Sequence, residues 1–236
     1  MKTKVLNKRV TLFTEVPMVY NDQTLPTYIQ ATADLKLIPS LNKGLGLKIG
    51  PDGSVSPEQM ISLDLKNLED TIKITLGINR FDIISTLDNS DWESFVLKVH
   101  EICNTLTNIY NKGYNRLAVG ASIVFYATPE QMNNLYQKLV KAEETERPVE
   151  WSIRKVIRTQ IEDDKNKLTI NNVYTISRKI IIDDGNNSDA IVLEYDINTL
   201  VGSNISAINS LTPNFIKNAV ATISKSMQIY SEHINS

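Results

Sequence analysis

Pro51-Asp52 followed by Asp64-Leu65-Lys66 spells the Pro-Asp…Asp-x-Lys pattern of metal-dependent nucleases. In such a site two carboxylates hold a divalent cation and the lysine orients or activates water. Asp52, Asp64 and Lys66 are therefore the catalytic set of one alternative reading. Each has a plainer explanation. Asp52 sits in Gly50-Pro51-Asp52-Gly53, a turn that favours aspartate for local reasons. Asp64 and Lys66 fall on the polar side of an alternating strand, where charge is expected. The expectation is solvated hairpin charges and no metal.

A second pair suggests anion binding. Lys155 shares a strand face with Trp151, Ile153 and Ile157, and Arg178 shares one with Tyr174, Ile176 and Ile180. A turn centred near Asn166 brings Lys155 and Arg178 opposite each other. Like charges across a strand pair repel, so a carboxylate or small anion between them is the second alternative, with Lys155 and Arg178 as its ligand-binding residues. Other chemistries lack their residues. His100 and His233 stand alone, and no Gly-x-Ser-x-Gly elbow occurs. Neither glycine-rich phosphate motif is present, and Gly44-Leu45-Gly46 precedes a strand, not a helix. Cys103, the only cysteine, falls in an apolar helical stripe as a small core residue and cannot close a disulfide or a zinc site. No cofactor is expected.

The elements that must position these residues are legible from periodicity. Residues 9–17 suit a strand, and 27–37 fit a helix or a strand. The turn at 50–53 joins a strand near 45–49 to one starting near Ser54. Ile61, Leu63 and Leu65, then Ile72, Ile74, Leu76 and Ile78, alternate as half-buried antiparallel strands. The phase slips before Phe81, so Gly77 or Asn79 marks a bulge or turn. The spacing of Trp92, Phe95, Val99, Ile102 and Leu106 predicts a helix over 91–112, with Ser90 and Glu93 as a capping box and Gly113 past its end. A strand over 117–125 follows, then a helix opened by Thr128-Pro129. Strands near 149–161, 168–182 and 189–197 read as a meander. Thr212-Pro213 predicts the start of a last helix running to about His233.

The fold class is α+β: antiparallel sheet in two similar halves, each followed by a long amphipathic helix. The chain of 236 residues reads as a single domain, 1–236, or as sub-halves 1–113 and 114–236 divided without a clear linker; 141–148 is the best boundary. Twenty-five Lys and Arg against 27 Asp and Glu give a net charge of −2. That balance disfavours bulk capture of nucleic acid. The N-terminal residues lack the apolar core of a signal peptide, and the apolar uncharged stretch 117–129 is too short to span a bilayer. A cytoplasmic protein is expected.

Trp92-x-x-Phe95, Asn115-Arg116-Leu117-Ala118-Val119-Gly120 and Leu193-Glu194-Tyr195-Asp196-Ile197 come in an order that resembles a sporadically distributed family of uncharacterised bacterial proteins. That family carries a Trp-x-x-Phe helix and an Arg-Leu-Gly-Leu-Arg-like strand. The likeness spans roughly residues 35–236, with Ala118 at the family glycine and Gly120 at its second arginine. It implies a bacterial or phage setting and no established activity. The leading expectation is a non-catalytic interaction protein or accessory subunit of such a system, with a protein partner or a second copy covering its surface.

Overall fold

The computed structural model describes every residue except Met1, Gly50, 88–90, 111–112, 141–146, Asp184 and Ser236. The elements run β1 (Lys2–Thr14), α1 (Thr24–Ala31), a 3-10 turn (Ala33–Leu35), β2 (Ile38–Ile49), β3 (Val55–Lys66), β4 (Ile72–Leu76), β5 (Arg80–Ser85) and α2 (Trp92–Ile109). They continue with β6 (Tyr114–Tyr126), α3 (Pro129–Val140), β7 (Trp151–Glu162), β8 (Lys167–Asp183), β9 (Asn186–Thr199) and α4 (Ile205–Asn235). The strands form one antiparallel sheet in the order β2-β3-β4-β5-β1-β6-β9-β8-β7. The mixed α+β class expected from the alternating and helical periodicities is present.

Alternation decides which side of each strand is greasy. Val10 and Leu12 of β1, Leu117, Val119 and Ile123 of β6, and Leu193 and Ile197 of β9 are buried on one face. The helices lie over that face. Trp92, Phe95, Val99, Ile102 and Leu106 supply the α2 stripe, and Ile208, Leu211, Phe215, Ala219 and Ile223 the α4 stripe. α4 crosses β6, β7 and β8 and touches both α2 and α3. A continuous core from Val5 to Ile234 fills this side, and a small second cluster of Val124, Ala190 and Val192 lies on the other face. Each fully buried large side chain in it is worth about 1.5–3 kcal/mol relative to exposure.

Local irregularities shape the inner face. The register of β1 against β6 shifts between Val5 and Asn7. That bulge reverses the parity of the strand, so Lys8 joins Val10 and Leu12 inside while Arg9 goes to the opposite face. Lys8 is 1% exposed. Its ammonium reaches the Asp91 carbonyl at 3.2 Å and lies 5.0 Å from the centre of the Trp92 ring, a combination that keeps a buried cation solvated.

Several expected boundaries move. The first strand begins at Lys2, not at residue 9, because its outer half pairs with β6 as far as Tyr126. Residues 27–37 resolve as the end of α1 and the 3-10 turn. The phase slip before Phe81 is a tight turn in which the Gly77 N–H bonds the Arg80 carbonyl at 2.8 Å. Asp91 caps α2 by accepting from the Ser94 N–H at 2.9 Å; Ser90 lies outside the described residues. Thr128 and Gln131 form a reciprocal capping box at the start of α3. The boundary expected at 141–148 falls mostly outside the described residues. α4 starts at Ile205, not at Thr212-Pro213. Asn204 caps it, accepting from the Ala207 N–H at 3.1 Å, and Pro213 lies inside the helix.

Candidate functional site

The sheet face turned away from the helices carries the second set of side chains. Five of the seven arginines of the chain project from it: Arg9, Arg80, Arg116, Arg154 and Arg158. Register places Arg9 beside Gly120, then Asp196, Val173 and Val156 across β1, β6, β9, β8 and β7. Four strand spacings separate β1 from β7, about 19 Å. A shallow hollow of about 320 Å³ lies on this floor, lined by Asn7, Arg9, Ser122, Thr175, Glu194 and Asp196.

Gly120 makes room for Arg9. A Cβ at Gly120 would stand 3.5 Å from Arg9 Nη2 and 3.2 Å from the Tyr195 carbonyl oxygen. The guanidinium lies across the strand instead of standing up from it. Arg116 packs over the Phe13 ring, 5.1 Å from its centre, and its buried Nε has no partner. Arg9, Arg116 and Arg154 make no ion pair among the described residues, and Arg158 donates to the neutral Asn171 at 3.2 Å. The carboxylates of this face are more engaged. Asp82 pairs with Arg80 at 2.8 Å and accepts from Thr11. Glu194 lies 3.6 Å from Lys179, and Asp196 accepts from Asn198. The free charge on this face is thus mainly positive, although the whole chain is slightly acidic.

The nuclease set does not assemble. Asp52 stands at the tip of the β2–β3 hairpin, and Asp64 lies nine residues along β3 from Val55, roughly 30 Å away. Asp52 is held locally: the Ser54 hydroxyl and N–H donate to it at 2.6 and 3.1 Å and pull its carboxyl below the usual range. Asp64 is buried and takes Lys73 at 2.6 Å, Thr75 at 2.8 Å and Asn42 at 2.6 Å. Lys66 pairs with Asp70. No cluster of metal-ligating side chains occurs among the described residues.

Lys155 and Arg178 are not opposite each other. β7 and β8 pair Lys155 with Tyr174 and Trp151 with Arg178, because the turn places Asp163 against Asn166 and fixes the register there. Lys155 is exposed. Arg178 is buried under α3, with Asp189 at 2.6 Å, Asn133 at 3.0 Å and the Pro148 carbonyl at 3.0 Å. Its donors are spent within the fold. No protein-family model matches the chain, and no curated protein shows significant similarity to it. Function therefore rests on the geometry alone, and the likeness in Trp92-x-x-Phe95 and the strand after it adds no activity.

His233 is exposed at the end of α4. His100 and Cys103 face a cleft of about 550 Å³ between α2, α4 and the start of β6. Burial pushes the Cys103 thiol up to about 12 from an ordinary 9.0, and burial also drives Tyr114 up to about 12. Tyr20 and Tyr195 are raised for the same reason. These groups stay protonated in the fold while the unfolded chain ionises them. Above pH 9 the unfolded state therefore holds fewer protons, so the stability present below that pH falls as pH rises towards 12. Urea unfolding at pH 7, 9 and about 10.5 is expected to show the loss starting near 9 and steepening once tyrosines ionise. Cys103→Ala should delay the onset by about one pH unit, and a profile flat to pH 11 would refute the assignment.

Sequence alternation already puts Arg116, Ala118 and Gly120 on the side opposite Leu117 and Val119. It does not reveal that Arg9 lies on the neighbouring strand, because strand order is not a local property. His100 and Tyr114 come to line one cleft only through helix packing, which periodicity leaves open.

Proposed function

We propose that this chain is a non-catalytic interaction protein, an accessory subunit of a bacterial or phage system, that docks an acidic region of a partner protein on its uncovered sheet face. The observation that carries this reading is the placement of Arg9, Arg116, Arg154 and Arg158 on that face with no carboxylate of the described residues paired to them. Arginine suits carboxylate partners because its planar fork binds them in pairs. Asp196 and Glu194 stand between Arg9 and Arg154. A row of phosphates would meet those carboxylates in mid-face, whereas a protein surface can place a basic or neutral group against them. No helix of the described residues is long and apolar enough to cross a membrane.

The test is site-specific photo-crosslinking in cells from positions 156 and 173 on the face and from Lys217 on α4. A single protein should crosslink from the face alone, and Arg9→Ala/Arg154→Ala/Arg158→Ala should weaken its binding at least tenfold. Submicromolar binding of a duplex or single-stranded oligonucleotide, lost in the same triple variant, would overturn the choice of partner. Self-association in light scattering that the triple variant abolishes would put a second copy on the face and overturn it equally.

We also read the sheet as two similar halves of a single domain. Residues 1–113 run strand, helix, meander, helix, and 114–236 repeat that order. β1 and β6, the first strand of each, lie side by side in mid-sheet with the two meanders outside them, an arrangement that supports the reading.

A further inference from the structure

The β2–β3 hairpin reaches past the rest of the sheet. β3 pairs with β4 only over residues 63–66. Residues 55–62 and the β2 residues facing them therefore form a two-stranded arm, about 25 Å long. On its outer side β2 pairs with no strand among the described residues. Alternate backbone N–H and C=O groups along that edge point away from β3, open to a further strand.

The arm has an apolar face. Leu41, Leu45 and Leu47 of β2 share it with Val55, Pro57 and Ile61 of β3. Leu45 is 86% exposed and Leu47 75%. A two-stranded ribbon is marginal in water, whereas three or more strands with an apolar face hold together. What would complete the arm is thus more strand, not a small ligand.

β2 is weakly guarded against such pairing. The opposite edge strand, β7, carries Arg154, Lys155, Arg158 and Glu162, and charges of that kind keep a sheet edge from being extended. β2 carries Lys43 and Lys48. It also holds Gly44 and Gly46 with no register shift against β3. Strand glycines without a bulge suit the close approach of another backbone, and the space beside Gly44 is open.

The sequence of β2 is its own complement. An antiparallel second β2, related by a two-fold axis through Leu45 and normal to the sheet, sets Leu45 opposite its own copy. Leu47 then falls opposite Lys43 of the other copy, Leu41 opposite Ile49, Asn42 opposite Lys48 and Gly44 opposite Gly46. The apolar residues of both arms lie on one side, and no lysine opposes a lysine. An axis through Gly44 would instead bring the two Lys43 residues to diagonal positions, where like charges repel. We propose that β2 pairs with β2 of a second copy of this chain, joining two arms into a four-stranded antiparallel ribbon about a two-fold axis. Residues 41–49 of each copy take part. That is fewer than the roughly 20–30 a side of a standard interface, so the dimer is weak, with a dissociation constant of roughly 1–100 µM.

Sedimentation velocity of the intact chain from about 1 to 200 µM should show monomer giving way to dimer. Leu45→Lys sets two like charges face to face and should raise the dissociation constant at least tenfold. Leu47→Glu sets a carboxylate opposite Lys43 of the other copy and should leave the constant unchanged or lower it. In a Cys103→Ala background, Leu45→Cys should give a disulfide-linked dimer on mild oxidation, since opposed Cα atoms lie about 4.5–5.5 Å apart. Leu41→Cys should not, because its two copies stand eight residues apart along the ribbon. Arg9→Ala/Arg154→Ala/Arg158→Ala should dimerise as the parent does, which separates this contact from the arginine face. A chain still monomeric at about 200 µM, a dimer indifferent to Leu45→Lys, or equal cross-linking from positions 41 and 45 would overturn the proposal. A dimer lost only in the arginine triple variant would overturn it as well, by moving the second copy to that face.

Discussion

Phe215→Ala is expected to cost about 3–5 kcal/mol and to lower the melting temperature by roughly 6–20 °C for a chain of this size. Phe215 is fully buried on the face of α4 that meets the sheet, in the same stripe as Leu211 and Ala219. Removing its ring takes away the transfer energy of the side chain. It also leaves a void in the layer where α4 crosses β6, and the strands cannot close that void without breaking their register. Lys217→Ala, exposed on the same helix, should move the transition by less than about 2 °C. Thermal unfolding followed by far-UV and near-UV circular dichroism checks both. Equal small shifts for the two variants would mean that α4 is not docked as described.

The second large effect concerns the ion pair under α3. Arg178 presents Nε and Nη2 to Asp189, with its side chain 6% exposed against 36% for the aspartate. Asp189→Ala would leave a buried guanidinium with only the neutral oxygens of Asn133 and Pro148. The expected loss is about 3–5 kcal/mol, the usual result of stranding one buried charge. Arg178→Met should cost less, because the stranded carboxylate keeps part of its surface in water. The double variant Arg178→Met/Asp189→Ala should be more stable than Asp189→Ala alone, since the charge that needed a partner is gone. Denaturant unfolding of the three proteins measures this order. A double variant weaker than both singles would show that packing, not the unpaired charge, dominates at this site.

Arg178 also shows how a correct strand assignment can mislead about a site. The meander of β7, β8 and β9 was legible from alternation and from the Asp163–Asn166 turn. The turn geometry fixed a register that places Arg178 beside Trp151 and leaves Lys155 four residues further along β7. The hairpin of β2 and β3 gives the same lesson. Its turn and both strands follow from Gly50-Pro51-Asp52-Gly53 and the alternation beyond it. Yet an extended hairpin separates its tip from its base, so Asp52 and Asp64 cannot share an ion. Thr212-Pro213 looked like a helix start because proline favours first turns. The Asn204 cap outcompeted it, and the cost of proline inside α4 falls on the Asn209 carbonyl.

Local chemistry determined the antiparallel strands, the amphipathic helices and the small, neutral side chains of β6 that face away from them, since period and turn preference act over a few residues. Tertiary structure alone decided that Arg9 lies beside Gly120 and that Lys8 meets the Trp92 ring. It also decided that arginines from four strands share the face turned away from the helices, and that His100, Tyr114 and Asn209 line one cleft. Each of these depends on strand order, a register shift or a helix crossing. Those are set by which surfaces bury together across the whole chain, a quantity that no short window of sequence contains.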